Sequence, residues 1–491
     1  MSNIKSDRSK NWWKDINDIT GRKSRSDNLQ GMANAVCEGN IQVLVNMIDS
    51  ATQEVTAGMT PITPSDSFTI GQNFYVPSTY IIPVHKVQKQ LENVKTDKAV
   101  GPDKIPNWLL KGAASSLAPA VCSIFNASIR DGVVPQTWKS ADICPIGKVP
   151  RPTRVDKDLR PISLTPVLSK CLEHHPKRWI MNAISSDLDP GQYGSLPGSS
   201  TTLALVELLH LWLAALEKPG HAVRVLLLDF RKAFDLVDHH VLLKKLANTA
   251  LPDYLVKWVQ SFLCQRKQRI KLNNTFSEWS NVRAGVPQGT LLGPTSFLLH
   301  INDLQTICKA TKYVDDASIW EECNYNGKDS KLQMAADQAS EWSLNNNMLI
   351  NTEKTKELII YFGKRPSSFE KIKMLDNQIE TVECTKLLGV TINNKLTWHD
   401  HVEQITSKAA SRLYFLRMLR RTGIPSKDIF QVFTSIIRPI LEYACEVWHP
   451  GLTKAQTQKL EHIQTRAMRI IHPDASYEEA LERLSAETQY I

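Results

Sequence analysis

Residues 222–229 read AVRVLLLD, an apolar run interrupted once, by Arg224, and closed by a carboxylate, Asp229. A half-exposed strand alternates polar and apolar residues, whereas a run this continuous belongs to a strand buried on both faces. The chain must therefore build a sheet with cover on either side, and it places an acid where the buried strand emerges. An Asp at such a point commonly starts a turn or helix, and Phe234, Val237, Val241 and Leu242 continue with helical spacing.

Two further acids, Asp315 and Asp316, stand side by side in TKYVDDASIW (311–320), between short strand-forming runs. A solvated hairpin turn accounts for such a pair. So does a divalent cation, because Mg²⁺ is held by one or two carboxylates together with substrate phosphates. The second account needs another carboxylate, and Asp229 meets the pair only if the chain between folds back. That intervening chain contains RAGVPQGTLLGPTSFLLHINDL (283–304). Gly285, Pro287 and Gly289 specify a tight loop presenting Gln288 and bare backbone, and Leu292, Phe297, Leu298 and Ile301 then follow as a helix.

Composition narrows the class. The chain has 491 residues, 42% hydrophobic and 22% charged, which reads as globular; that length suits roughly two to four domains or subdomains. A formal net charge of +9 favours a polyanionic partner weakly. Nine Cys, an odd number without a C-x-x-C pair, argue against a disulfide framework or a zinc site and for a reducing compartment. No signal-peptide core opens the chain. Its longest lipophilic segment, LALVELLHLWLAAL (203–216), carries Glu207 and His210 and is too short for a bilayer, so it reads as a buried helix. These features point to an intracellular protein, nuclear or cytoplasmic, with no membrane partner and no encoded sign of its oligomeric state.

Eight blocks occur in one order over roughly residues 85–475: GPDKIPNWLLK, DLRPISLTPVLSKCLEH, QYGSLPGSSTTLAL, LLLDFRKAFDLVDH, VPQGTLLGPTSFLLHINDL, YVDDASI, NNNMLINTEKTKEL and KLLGVTINNKLTW. Together they resemble the reverse transcriptases of jockey-like non-LTR (LINE-type) retrotransposons. YVDD alone is a weak signal; the ordered set is specific.

The resemblance implies an α+β right-hand polymerase with fingers, a palm of antiparallel sheet backed by helices, and a helical thumb. From composition, residues 1–75, punctuated by GRKSRSD and TPITPSDS, read as a polar, partly helical linker or tail, whose charged start NWWKDINDITGRKSR is a solvated segment or else a nucleic-acid contact. An N-terminal helical extension would follow at 76–135, fingers and palm at 136–395, and thumb with a truncated C-terminal region at 396–491. The implied activity is RNA-directed DNA synthesis: a primer 3′-hydroxyl extended with dNTPs on an RNA template by two-metal phosphoryl transfer, with two Mg²⁺ ions or Mn²⁺ in their place. Asp229 and Asp315 would bridge the metals, Asp316 would support them, and the Phe230 carbonyl would complete one site. Lys148, Arg160, Phe234, Gln288 and Lys354 would bind the dNTP, Phe234 by excluding a 2′-hydroxyl. Arg266, Lys267, Arg269, Lys271, Gly389, Lys408 and Arg412, with Arg417, Arg420 and Arg421 beyond, would contact nucleic acid.

The sequence also departs from that pattern. Ser199 stands where relatives commonly carry a basic residue, no apurinic-type endonuclease block precedes the polymerase blocks, and no RNase H or zinc-knuckle block follows them. An inactive or truncated nucleic-acid-binding remnant is therefore the alternative to an active enzyme. An intron-encoded reverse transcriptase is a further one, to which FRKAFDLVDH and FLLHINDL are less similar.

Overall fold

The structure, a computed structural model, describes residues 29, 32–34, 37, 40–66, 76–363 and 369–485. The apolar run forms the strand His221–Leu228, the centre of a five-stranded sheet. Across that sheet the order is Glu380–Val382, Lys356–Ile360, His221–Leu228, Asp316–Asn324 and Lys309–Tyr313, antiparallel except for the first pair. Both faces are covered. Val223 and Val225 join an apolar cluster with Leu205, Leu209 and Trp212 of the helix Thr201–Leu216, while Leu226 and Leu228 join the main core with Phe297 and Leu298 of the helix Leu292–Ile301.

Arg224 breaks the run without breaking the core. Its guanidinium is buried in an ion pair with Glu357 and donates to Ser330 Oγ at 2.7 Å and the Glu370 carbonyl at 3.0 Å. A buried charge is tolerated when paired and hydrogen-bonded in this way.

A second sheet contains Leu159–Leu164, Ser140–Gly147, Lys267–Leu272 and Thr275–Phe276, with Ser280–Asn281 also paired to Lys267–Leu272. Against it packs the helix Ile41–Val55, N-capped by the Asn40 side chain. Leu44, Val45 and Ile48 share a core with Ala141, Ile143 and Ile270. The reading of 1–75 as linker or tail is thus corrected: part of it is a docked helix, whose short apolar stripe lies among polar neighbours. The stretch NWWKDINDITGRKSR lies outside the described residues.

The helices Val84–Glu92 and Ala114–Asp131 belong to the main core, and the C-terminal helices His399–Arg421, Ser426–Val432 and Lys454–Ile471 build a separate one around Leu413, Leu416, Ile429 and Met468. The α+β class expected from sequence is present.

Two local expectations change. Helix Thr201–Leu216 is covered on one side only, with Leu203, Val206 and Leu213 exposed. The chain after Asp229 runs through turns, and its helix begins at His239, capped by the Asp238 carboxylate. The carbonyls of Phe234 and Val237 accept bonds from the Val286 and Gly285 amides, so tertiary partners replace the intrahelical ones. Among the described residues no helix is long and apolar enough to cross a membrane.

Candidate active site

Strand register brings the three acids together. Leu228 pairs with Ala317, so Asp229 and Asp316 occupy the next step outward on adjoining strands. Tyr313 pairs with Asp316, which leaves Val314 and Asp315 as a two-residue turn. Val314 has φ +61°, a strained value for a β-branched residue. The hairpin is braced from behind, where Tyr193 N donates to the Lys312 carbonyl at 2.8 Å and Lys312 N to the Gly191 carbonyl at 2.7 Å.

The acids feel one another. Burial by surrounding protein, followed by the charges of Asp315 and Asp229, pushes Asp316 up to about 6, although its side chain keeps solvent contact. Asp315 is raised by burial and by Asp229, with Arg160 acting against the rise. Among the described residues no group of three or more His, Cys, Asp or Glu side chains is placed to hold a metal ion by itself. The donor chemistry nevertheless suits a hard divalent cation, which can be held by one or two carboxylates plus substrate phosphates. Phe230 lies at a β-bridge to Ile350 whose two bonds, Arg231 N to Leu349 O and Asn351 N to Asp229 O, run through its neighbours rather than through its own carbonyl.

Asp229 and Asp315 open, with Phe230, onto a cleft of ≈ 1050 Å³. Asp316 is not part of its lining. Lys148, Arg160 and Lys354 also line it, with Lys232, which the sequence reading missed. They form one electrostatic group: burial and then the charges of Lys354, Arg160 and Lys232 lower the Lys148 pKa. Acids and clustered cations in one cleft make a place for a polyphosphate and its counterions.

Phe234 and Gln288 complete the same cleft. The Phe234 ring is half-buried and stacked on Phe297, with centroids 4.6 Å apart and planes at 17°. Gln288 donates through Nε2 to Asp235 Oδ1 at 3.2 Å, and its carbonyl accepts from Ser163 N at 2.7 Å. Gly289 has φ +131°, and a Cβ there would sit 2.5 Å from the Ser163 carbonyl oxygen, so the loop needs glycine. Asp235 was also missed; burial raises its pKa while Lys232 and Gln288 pull it down. Its signal was proximity to Asp229 in DFRKAFD. Asn351 had only its nearness to Lys354, yet its amide ties that segment to the Asp229 carbonyl at 2.7 Å.

The basic quartet is dispersed, and its reading as one phosphate grip is corrected. Arg266 is 1% exposed, donates to the Phe262 carbonyl at 3.0 Å and packs over the Phe262 ring. Arg269 and Lys271 face Asp142 at 2.8 and 3.8 Å, and Arg269 is also covered by Phe276 and Trp279. Lys267 is exposed and lines the cleft. Alternation along the strand and aromatic cover separate the four. Gly389 lies in the turn between Cys384–Leu387 and Val390–Asn393, away from the cleft lining. Lys408 is exposed on His399–Arg421, whereas Arg412 of the same helix donates to the Ile436 carbonyl at 3.0 Å.

Residues 149–392 match the family described as reverse transcriptase (RNA-dependent DNA polymerase). An RNA-directed DNA polymerase from mobile element jockey of Drosophila melanogaster is 28% identical over 413 residues, covering 79% of this chain and 44% of that protein. A probable RNA-directed DNA polymerase from transposon X-element of the same species is 27% identical over 403 residues, covering 79% and 43%. A telomerase structure from Candida tropicalis, with a fragment of telomeric RNA, is 14% identical with TM-score 0.37 over 77% of this chain and 68% of that one. The chain spans less than half the length of the curated relatives it matches.

Proposed function

Residues 149–392 belong to the reverse transcriptase family, and from that premise we propose that the chain extends a primer 3′-hydroxyl with dNTPs on an RNA template. The observation that carries this reading is the meeting of Asp229, Asp315 and Asp316 on adjoining strand ends, with Lys148, Arg160, Lys232 and Lys354 in the same cleft. We assign the five-stranded sheet to the palm, the second sheet to the fingers and the helices from His399 onward to the thumb.

Asp229 and Asp315, supported by Asp316 and the Phe230 carbonyl, would hold the divalent ions, Mg²⁺ by donor type. When bound, such ions lower the pKa of an attacking hydroxyl and stabilise charge on the leaving oxygens. The chain's own residues do the positioning. Lys148, Arg160 and Lys232 take the triphosphate charge, and Lys354 stands ready to give a proton to the departing pyrophosphate. Phe234 closes the space beneath the sugar, and Gln288, held by Asp235, meets the nascent base pair from the loop. Phosphoryl transfer is governed by this kind of placement and charge stabilisation.

The test is primer extension on an RNA template, comparing the wild-type chain with Asp315→Asn. Loss of one preorganised charge at the reacting centre should cost on the order of 10²–10³-fold in rate, with primer–template affinity nearly kept because cation–phosphate contacts supply most of it. Extension by the variant at the wild-type rate would sink the assignment. Duplex binding without extension by the wild type would favour a non-productive binding remnant instead.

A further inference from the structure

Residues 191–194 run alongside the strand Lys309–Tyr313, which forms one edge of the five-stranded sheet and leads into the Asp315 turn. The approach leaves no room for side chains at two points. A Cβ on Gly191 would lie 2.1 Å from the Ala310 carbonyl oxygen, and one on Gly194 would lie 2.2 Å from the Val314 amide nitrogen and 2.7 Å from Val314 Cγ2. Gly194 lies outside the left-handed region, so space alone requires glycine there.

The segment is tethered from several sides. The Gly191 amide donates to Asp189 Oδ1 at 2.7 Å, and the Asp189 amide donates at 2.9 Å to Asn302 Oδ1, at the C-terminal end of the helix Leu292–Ile301. The Gly194 amide donates to Gln192 Oε1 at 3.0 Å, and the Tyr193 hydroxyl donates to Glu207 of the helix Thr201–Leu216. The segment is therefore the fixed side of the contact, and the turn is the side that conforms.

That contact accounts for a backbone the turn's own sequence does not favour. Of Val314 and Asp315 only Val314 has positive φ, the φ pattern of a type II′ turn, whose first central position suits glycine. A β-branched residue keeps such a backbone only where its surroundings over-determine it. Asp315 is the next residue and lines the cleft, so whatever fixes Val314 also fixes the aim of Asp315.

We propose that Gly194 is a positioning residue for Asp315: its bare Cα lets the tethered segment press on Val314, and that contact holds the turn in the form that delivers the Asp315 carboxylate to the cleft. This rests on the polymerase reading above. A side chain at position 194 displaces the turn, and the carboxylate loses its aim.

The experiment uses the full chain as wild type, Gly194→Ala, Gly191→Ala and Gln192→Met. Affinity for a fluorescent dNTP is measured with and without Mg²⁺ on protein carrying an RNA template and a 3′-dideoxy-terminated primer, which permits binding without chemistry. Extension of an unblocked primer and a melting curve are recorded for each protein. Gly194→Ala should weaken Mg²⁺-dependent dNTP binding and lower kcat by about tenfold each, the usual cost of removing a support behind metal-binding groups. Primer–template affinity should be nearly kept, because cation–phosphate contacts supply most of it. Gly191→Ala, whose Cβ meets the strand rather than the turn, should melt as low as Gly194→Ala yet bind dNTP closer to wild type. Gln192→Met removes the acceptor of the Gly194 amide and should lose roughly threefold in the same binding, the worth of one hydrogen bond. If Gly194→Ala does not fold, Gln192→Met decides, and wild-type dNTP binding by it overturns the proposal. So does wild-type binding by a folded Gly194→Ala, or an affinity that falls in step with melting temperature across both glycine variants. A wild type that binds dNTP with Mg²⁺ but extends no primer overturns the polymerase reading and leaves the binding comparison to decide on Gly194. One that binds no dNTP overturns both.

Discussion

Glu173 and Lys312 close opposite ends of the buried helix Leu292–Ile301 with opposite charges. Glu173 Oε2 accepts from the amides of Leu291 at 2.7 Å and Leu292 at 3.3 Å. Lys312 Nζ donates to the carbonyls of Ile301, Asn302 and Leu304 at 3.2, 3.0 and 3.0 Å and pairs with Asp189 Oδ2 at 2.7 Å. Both signs match the helix dipole. The helix follows the Gln288 loop, and Lys312 sits on the strand that ends at the Asp315 turn, so the two charges hold loop and hairpin in one frame. Burial lowers the Lys312 pKa and Asp189 opposes that shift. Lys312→Met removes the donor from Asp189 Oδ2 and from the Asn302 and Leu304 carbonyls inside the protein, while Asp189 Oδ1 keeps the Gly191 amide and the Ile301 carbonyl keeps the Leu304 amide. Breaking a buried pair this way should cost about 3–5 kcal/mol, read as a lower urea midpoint together with lost extension activity. An unchanged midpoint would remove Lys312 from the framework.

Asp316 gives a pH dependence of definite sign. Its carboxyl is raised from 3.8 to about 6, first by burial and then by Asp315 and Asp229. A carboxyl that holds its proton more tightly in the folded chain favours the fold below its unfolded pKa, and the advantage is lost as pH rises through about 6. In metal-free buffer at pH 7.5, Asp316→Asn should therefore melt higher than wild type, and near pH 3.5 the difference should vanish. Magnesium added to the wild type at pH 7.5 should recover part of the gap. Equal melting curves for the two proteins at both pH values would show that the acids do not strain one another.

Much of this arrangement was legible in local pattern. AVRVLLLD announced a strand covered twice, and the Gly-Val-Pro-Gln-Gly loop and the Asp-Asp hairpin fell where their turn residues put them. What local pattern lacked was any record of partners distant in sequence. Arg269 looked like a phosphate contact because Asp142, which pairs with it, stands 127 residues away in the chain, while Phe262, Phe276 and Trp279 are near in sequence and cover Arg266 and Arg269 only once the strand and its flanking segments have folded. Helix Ile41–Val55 looked detached because its stripe of Leu44, Val45 and Ile48 has meaning only beside Ala141 and Ile270. The expected helix at Phe234 gave way to turns because its carbonyls are taken by residues some fifty positions later.

Lys267 and Arg269 separate grip from scaffold. Lys267 is exposed in the cleft, whereas Arg269 is held by Asp142 and two aromatic rings. Lys267→Ala should weaken primer–template binding on every sequence alike and flatten the dependence of log K on log salt by roughly one unit. Arg269→Ala should leave that slope alone and lower the melting temperature. A salt slope that responds to Arg269 and ignores Lys267 would reverse the two roles.

Phe234 tests sugar selection, where a clash with a 2′-hydroxyl competes with plain core packing as the reason for an aromatic ring. The ring stacks on Phe297 at 4.6 Å but is only half-buried, and its remaining surface lines the cleft. Phe234→Val opens space beneath the sugar while keeping an apolar side chain against Phe297. Discrimination against rNTP should fall, with dNTP use persisting at a reduced rate. A fully buried Phe cut to Ala costs about 3–5 kcal/mol, and a half-buried Phe cut to Val should cost well under that, so the variant should fold. The deciding quantity is the ratio of kcat/KM for a dNTP to that for its matching rNTP on one primer–template, with a melting curve beside it. Loss of packing alone would depress both substrates in proportion and leave the ratio where it was. A ratio that drops at least tenfold, equivalent to about 1.4 kcal/mol of lost discrimination, assigns the ring to the sugar. An unchanged ratio with a lowered melting point returns Phe234 to the core.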